Sequence, residues 1–487
     1  MSTERVRTIK STITSWEHPY LSGAWTPNYD EYNATNLEVI GEIPADLDGV
    51  YLRNTENQIH ESIGRYHPFD GDSMVHSMCF CDGTATYRNR FTQTAGFLAE
   101  QKAGKSLWAG LMEHPSKSLR PGICAQEGLK DSSSTDIVVH AGRALSTFYQ
   151  CGEGYRLDPY TLEQMGAESW VPTDGISAHP KVDLRTGELL FFNYSKNAPY
   201  MHYGVVGADN KLKHYVPISV PGPRLPHDMA FTENYSILND LPVFWEANQL
   251  KNGNHIVRFH ENTPTRFGII PRFGQPGDVR WFEAAPTYVL HWLNAWEEGD
   301  EIVLLGYFQD KPVPASRLDA PRGFERMMAY LDQWAIQPRL HKWRFNLRTG
   351  VTVEERLDDR TLEFGIINAG YGGIKNRFGY SANPLPGWFL FTGITKHDFL
   401  TGQSSSVDMG EYRTCSEAAF APRTTSSGED DGYLITFVTD MARDQSECVV
   451  IDAQDIESGP VCRIILPHRI CAGTHATWAN GEDIRTA

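Results

Sequence analysis

The stretch WRFNLRTGVTV, residues 343–353, reads as strand, tight turn, strand. Alternating large and polar residues on either side of Asn346-x-x-Thr-Gly suit two antiparallel strands. An Asx side chain that accepts from its own backbone, followed by Gly at positive φ, closes such a turn. The same unit recurs as RLDPYTLEQ around Asp158, KVDLRTGELLFF around Asp183, KHDFLTGQSS around Asp398 and VVIDAQDIESGPVCRIIL around Asp452. The last three turns, at Asn346, Asp398 and Asp452, are 52 and 54 residues apart, and the 163 residues from Asp183 to Asn346 approximate three such intervals. A period in the fifties predicts blades, each burying a face against the next.

Further hairpins are expected at Asp82-Gly83, at Asp209-Asn210 and at Gly299-Asp300. Helical signal is sparse, with residues 95–104 and 324–330 the best stretches. The architecture read from these patterns is all-β: one β-propeller whose long interblade segments form a cap over one face, with several β-sandwiches as the alternative.

Of the 487 residues, 44 are Lys or Arg and 61 are Asp or Glu, a formal charge of −17. That balance argues against a nucleic-acid partner, which needs a basic face. No uncharged apolar run reaches the roughly 18 residues that read as a membrane helix, and the opening MSTERVRTIK has no apolar signal region, so a cytoplasmic protein is expected. The eight cysteines form no CxxC pair and read as reduced thiols. Asp70-Gly71-Asp72 and Asp430-Asp431 read as turns rather than as a calcium or catalytic acid site.

Seventeen histidines include no short metal spacing such as HExxH. Four nevertheless share a context of strand-like sequence and small or apolar neighbours: His179 in ISAHPKVD, His227 in PGPRLPHDMAF, His291 in PTYVLHWLNAWEEGD and His475 in CAGTHATW. Their separations of 48, 64 and 184 residues approximate one, one and three blade intervals, as expected if different blades each send one imidazole to a common axis. His60, His67 and His341 read as structural or surface residues, and His468 as the rival to His475.

Together with FDGDSMVHSMCF (69–80), LEFGIINAGYGG (362–373), SEAAFAPR (416–423) and EDDGYLITFVTD (429–440), these contexts resemble the carotenoid cleavage oxygenase family, in family order from about Leu37 to Trp478. The resemblance implies a single domain over 1–487, with 1–36 an N-terminal extension and 479–487 a C-terminal tail. Its fold would be a seven-bladed β-propeller with a dome of loops and short helices over one face. It further implies one non-haem Fe(2+) held by His179, His227, His291 and His475, with O2 as co-substrate and neither haem nor 2-oxoglutarate. Glutamates are expected to fix the ligand rings, and Glu363 and Glu417 match two of those positions. The third position is Gln150, a departure that keeps an acceptor but removes a charge, with Glu153 as a local substitute.

The implied reaction is oxidative cleavage of a conjugated C=C bond into two carbonyl products. A partner-binding propeller with structural histidines, and an iron-dependent isomerase of the same fold, are the alternatives. Phenolic-branch enzymes resemble this chain except at a tyrosine and a lysine, which Leu111 and Tyr149 replace here. An unpartnered buried phenol costs roughly 1–3 kcal/mol, whereas a polyene gains about 25 cal/mol per Å2 buried. A carotenoid or apocarotenoid is therefore expected over a stilbenoid or phenylpropene, lined by Phe69, Leu111, Phe148, Tyr149 and Phe308. No obligate protein partner is implied. Residues 236–250, with Ile237, Leu238, Leu241, Val243, Phe244 and Trp245, are expected to form a peripheral membrane patch for collecting such a substrate.

Overall fold

The computed structural model of the chain describes residues 1–14, 18–64, 66–111, 113–122, 129–251, 257–312, 336–385 and 390–486. The helix expected over 324–330 lies outside them, as does Cys124. The other expected helix forms as Ala95–Ala103, capped by Thr94 Oγ1 and ended by Gly104 at φ 65°. The remaining seven cysteines are all free thiols.

The backbone contacts divide the chain into two compact units: residues 1–175, 390–396 and 404–487, and residues 176–389 and 397–403. In the second unit three four-stranded antiparallel meanders follow one another. They are Lys181–Asp183, Glu188–Tyr194, Met201–Val206 and Leu212–Pro217; then Ala230–Phe231, Tyr235–Asp240, Thr265–Pro271 and Arg280–Ala284; then Trp292–Glu298, Glu301–Phe308, Arg339–Asn346 and Thr352–Arg356. The first unit holds a fourth, Asp136–His140 through Gln164–Ala167.

The Asx turns form as their chemistry requires. Asn346 Oδ1 accepts from Arg348 N at 3.1 Å and Thr349 N at 2.8 Å, and Gly350 takes φ 78°. Asp158, Asp183, Asp398 and Asp452 accept in the same way from the backbone two residues on. The turn at Asp183 joins the first two strands of its blade, however, whereas that at Asn346 joins the last two strands of its own. The 163-residue gap is therefore not three equal intervals. Insertions such as the strand pair Val243–Trp245 and Val257–Phe259 lengthen the intervening blade.

Both ends of the chain are built into sheets of the first unit. Ala476–Asn480 pairs with Gly49–Arg53, while Glu38–Gly41 pairs with Pro460–Ile465. Each blade edge thus receives a strand from the opposite end of the sequence. The segment expected as an extension carries Ser2–Thr8 paired to Asp30–Thr35, and the expected tail holds Gly481–Arg485, a helix whose Ile484 joins the core with Val50 and Leu52.

Most of the apolar side chains of 236–245 are interior, which corrects the expected membrane patch. Tyr235–Asp240 is a central strand between Ala230–Phe231 and Thr265–Pro271, and Ile237, Leu238, Leu241, Val243 and Trp245 are all buried. Phe244 is only half-buried, with Arg224 over its ring at 4.0 Å and His260 stacked on it at 3.8 Å. Among the described residues no helix is long and apolar enough to cross a membrane.

The blade cores are aromatic. Trp343 is fully buried, its ring 5.4 Å from Trp292 and 5.7 Å from Phe267. A Trp343→Ala variant is expected to lose about 3–5 kcal/mol of stability, read from denaturant midpoints; a loss under about 1 kcal/mol would mean that the neighbouring rings close the cavity.

Candidate metal centre

Each of the four histidines lies one to three residues before the start of a strand: His179 before Lys181–Asp183, His227 before Ala230–Phe231, His291 before Trp292–Glu298 and His475 before Ala476–Asn480. In the second unit these are the first strands of three successive blades. One imidazole per blade entrance is what the spacing in the sequence reflects.

In the second unit His179, His227 and His291 converge, each offering a ring nitrogen within 4.8 Å of the others. His179 Nε2 lies 3.1 Å from His227 Nε2, and the His291 ring centroid is 5.1 Å from each of the other two. Two imidazoles brought tip to tip gain at most one hydrogen bond from each other. Two ligands at right angles on metal–nitrogen bonds of about 2.1 Å stand roughly 3.0 Å apart, so the spacing fits one shared ion. The group holds imidazoles alone, a donor set suited to iron, copper, nickel or zinc.

A carboxylate orients His291. Its Nδ1 lies 2.7 Å from Glu363 Oε2, and Glu363 is fully buried. The same oxygen accepts from Phe364 N at 2.6 Å. Phe364 sits at φ 50°, a left-handed conformation that is costly for a bulky residue, and its ring packs on His291 at 4.6 Å. With Nδ1 bonded to the carboxylate, Nε2 is the nitrogen left for a metal. In the first unit His475 repeats the device: its Nδ1 is 3.2 Å from Glu417 Oε2, which also accepts from Ala476 N at 2.7 Å. Burial opposes the His475 charge, but Glu417 outweighs it and raises the metal-free pKa to about 9. Metal binding there must therefore release a proton.

Gln150 is buried, and its Oε1 has no hydrogen-bond partner among the described residues. Glu153 is engaged with Tyr155, whose hydroxyl donates to Glu153 Oε2 at 2.6 Å.

Asp228 is the residue that sequence reasoning missed. It follows His227; its Oδ1 is 2.6 Å from Lys181 Nζ, two residues past His179, and its Oδ2 accepts at 2.9 Å from Trp292 N, one residue past His291. One buried carboxylate thus ties together the backbones that carry three imidazoles. The only sequence signal was an acid directly after a candidate ligand.

Of the residues expected to line the substrate site, Phe69, Leu111, Phe148 and Tyr149 border one cleft in the first unit. Phe308 lies in a blade core instead, stacked on His341 at 4.9 Å. Asp72 is buried, whereas Asp70 is half-buried at the end of a short helical turn, where it closes a capping box with His67.

The model of the Retinal pigment epithelial membrane protein family matches residues 25–480. The carotenoid 9,10(9′,10′)-cleavage dioxygenase 1 of Pisum sativum is 33% identical, covering 97% of this chain and 92% of its own. The isoeugenol monooxygenase of Pseudomonas nitroreducens is 32% identical, with 94% and 98% covered. The solved lignostilbene dioxygenase of Pseudomonas brassicacearum superposes with a TM-score of 0.85 at 25% identity, covering 96% of this chain and all of its own. The fold is the seven-bladed β-propeller, and its successive four-stranded meanders are blades. With four histidines at its blade entrances and its family model matched over residues 25–480, the chain belongs to the carotenoid cleavage oxygenase family.

Proposed function

We propose that the protein is an Fe(2+)-dependent dioxygenase that cleaves a conjugated C=C bond of a carotenoid or apocarotenoid with O2, yielding two carbonyl products. The observation that carries this reading is the convergence of three imidazoles, one of them fixed by a buried carboxylate. The family resemblance adds His475, which Glu417 orients in the first unit, as a fourth ligand. When bound, the iron supplies coordination positions for O2 beside the alkene and the redox chemistry that activates it.

The protein's residues do the remaining work. Glu363 and Glu417 hold the protons on His291 Nδ1 and His475 Nδ1, which leaves Nε2 of each ring as the nitrogen that would face the metal once it has given up any proton of its own. Four neutral ligands leave the metal charge undiminished. The two oxygen atoms of O2 balance the two carbonyl groups formed, so neither haem nor 2-oxoglutarate is needed. Phe69, Phe148 and Tyr149 offer aromatic faces to a polyene in the cleft: Phe69 and Tyr149 lie 6.0 Å apart, and Phe148 and Tyr149 5.0 Å apart.

The relatives named for carotenoid cleavage support the substrate class, as do Leu111 and Tyr149 at the positions of the phenolic handles. Incubation with β-apo-8′-carotenal and resveratrol side by side tests it, with products identified by mass spectrometry. Cleavage of the carotenal is expected, and cleavage of resveratrol alone would replace the polyene with a stilbenoid.

Gln150 brings a neutral, unpartnered carbonyl oxygen where a carboxylate would add charge. Gln150→Glu is expected to tighten metal binding by about tenfold, the low end of such effects. Unchanged affinity in a metal titration would remove Gln150 from the metal's surroundings.

A further inference from the structure

Lys130 lines the same cleft as Phe69, Phe148 and Tyr149. Its Nζ lies 2.9 Å from Asp72 Oδ1 and 2.8 Å from Glu100 Oε2. An ammonium group carries three N–H donors, and among the described residues no third partner takes the last one. Burial opposes the charge, but the two carboxylates outweigh it and hold the lysine above its ordinary range, so it stays protonated.

The nearby acids are committed elsewhere. Glu100 Oε1 accepts from Leu107 N at 2.8 Å, and Asp70 accepts from Leu111 N at 2.8 Å and His67 N at 3.0 Å. The cleft therefore combines aromatic walls with one buried donor that is still available, inside a triad whose net charge is −1 when all three groups are ionised. Such an end repels a carboxylate, leaves a hydrocarbon end with no gain, and suits an uncharged oxygen that accepts a hydrogen bond.

We propose that Lys130 anchors the oxygen-bearing end of the substrate, so that the protein selects polyenes ending in a neutral hydroxyl or carbonyl group over those ending in a hydrocarbon or a carboxylate. This inference rests on the reading of the cleft as the substrate site. It makes Lys130 a specificity-determining residue that stands apart from the metal ligands in sequence and chemistry.

The test uses the iron-loaded protein under nitrogen, where ligands bind without turnover, and follows quenching of tryptophan fluorescence; Trp108 lines the cleft. Four ligands share one skeleton: β-apo-8′-carotenal, its alcohol, its acid and the hydrocarbon lacking the oxygen. The aldehyde and alcohol are expected to bind about 10–100-fold more tightly than the hydrocarbon, the span of a hydrogen bond to a charged group, and the acid more weakly than either.

Lys130→Met should abolish that ranking while hydrocarbon binding stays unchanged, and Lys130→Arg should keep it. Lys130→Met/Asp72→Asn removes one of the uncompensated carboxylates and serves if Lys130→Met does not fold. Equal affinities for all four ligands in the wild type would overturn the inference, as would a ranking that survives in the methionine variants. Admitting air then separates the two readings: preserved selectivity without cleavage of any ligand sinks the proposed reaction and leaves the Lys130 anchor standing.

Discussion

A His291→Ala variant is expected to lose its iron and its substrate-dependent O2 uptake together, and Glu363→Gln to lose roughly 10–100-fold in metal affinity or turnover. His291 is one corner of the imidazole triangle, with ring centroids 5.1 Å from both His179 and His227. Glu363 acts only through His291: its Oε2 sits 2.7 Å from Nδ1, and the glutamine variant keeps an acceptor of the same shape without the charge. If the histidines were merely structural, removing His291 would change stability and leave metal content as it was. Elemental analysis of both variants beside the wild type distinguishes these outcomes. Full iron loading in His291→Ala would remove this residue from the metal site.

Acid is expected to destabilise the fold through its buried neutral histidines. His67 is buried and its Nδ1 accepts from Phe69 N at 3.1 Å; burial lowers its pKa to about 3. His468 packs against Tyr32 at 4.5 Å, neither ring nitrogen has a partner among the described residues, and burial lowers it to about 4. Burial also lowers His397 to about 4, although Asp358 lies 3.9 Å away. His76, fully buried beside Arg53, is held lower still.

An unfolded chain takes up these protons near pH 6.5 and the folded chain does not. The contribution is therefore complete above pH 6.5 and is lost as pH falls through 6.5 towards 4 for His468 and His397, and towards 3 for His67. His468 alone accounts for about 3 kcal/mol. In metal-free protein His475 acts with the opposite sign: its contribution is complete below pH 6.5 and disappears by about pH 9. Thermal midpoints between pH 7 and 4 should fall steeply in the wild type and less so in His468→Phe, which keeps an aromatic ring and removes the titration. Parallel curves for the two proteins would exclude His468 as a source of the acid sensitivity.

The hairpins were legible because an Asx turn is a local device: Asn346, Thr349 and Gly350 carry the whole instruction within a few residues. The four histidines were legible because each precedes a strand, and strands announce themselves by alternation. Glu363, Glu417 and Gln150 came only from resemblance, since nothing near them in sequence marks a carboxylate that will meet an imidazole. What failed depended on tertiary neighbours. Tyr235–Asp240 carries the apolar content of a surface patch and of a central strand alike, and only the strands on either side of it decide. Phe308 sits on a strand whose alternate residues all look like lining, yet His341 and Trp343 enclose it. Asp228 and Lys130 are single charged residues whose partners lie dozens of residues away, beyond the reach of any local pattern.

The central claim is that one iron per chain, held by histidines alone, carries out cleavage with O2. Metal-free protein mixed with β-apo-8′-carotenal and titrated with Fe(2+) in an oxygen electrode tests it most directly. Oxygen uptake should rise with added iron and level off at one equivalent per chain, with no requirement for 2-oxoglutarate. Uptake that is absent at every iron level, or that does not saturate near one equivalent, would contradict the account.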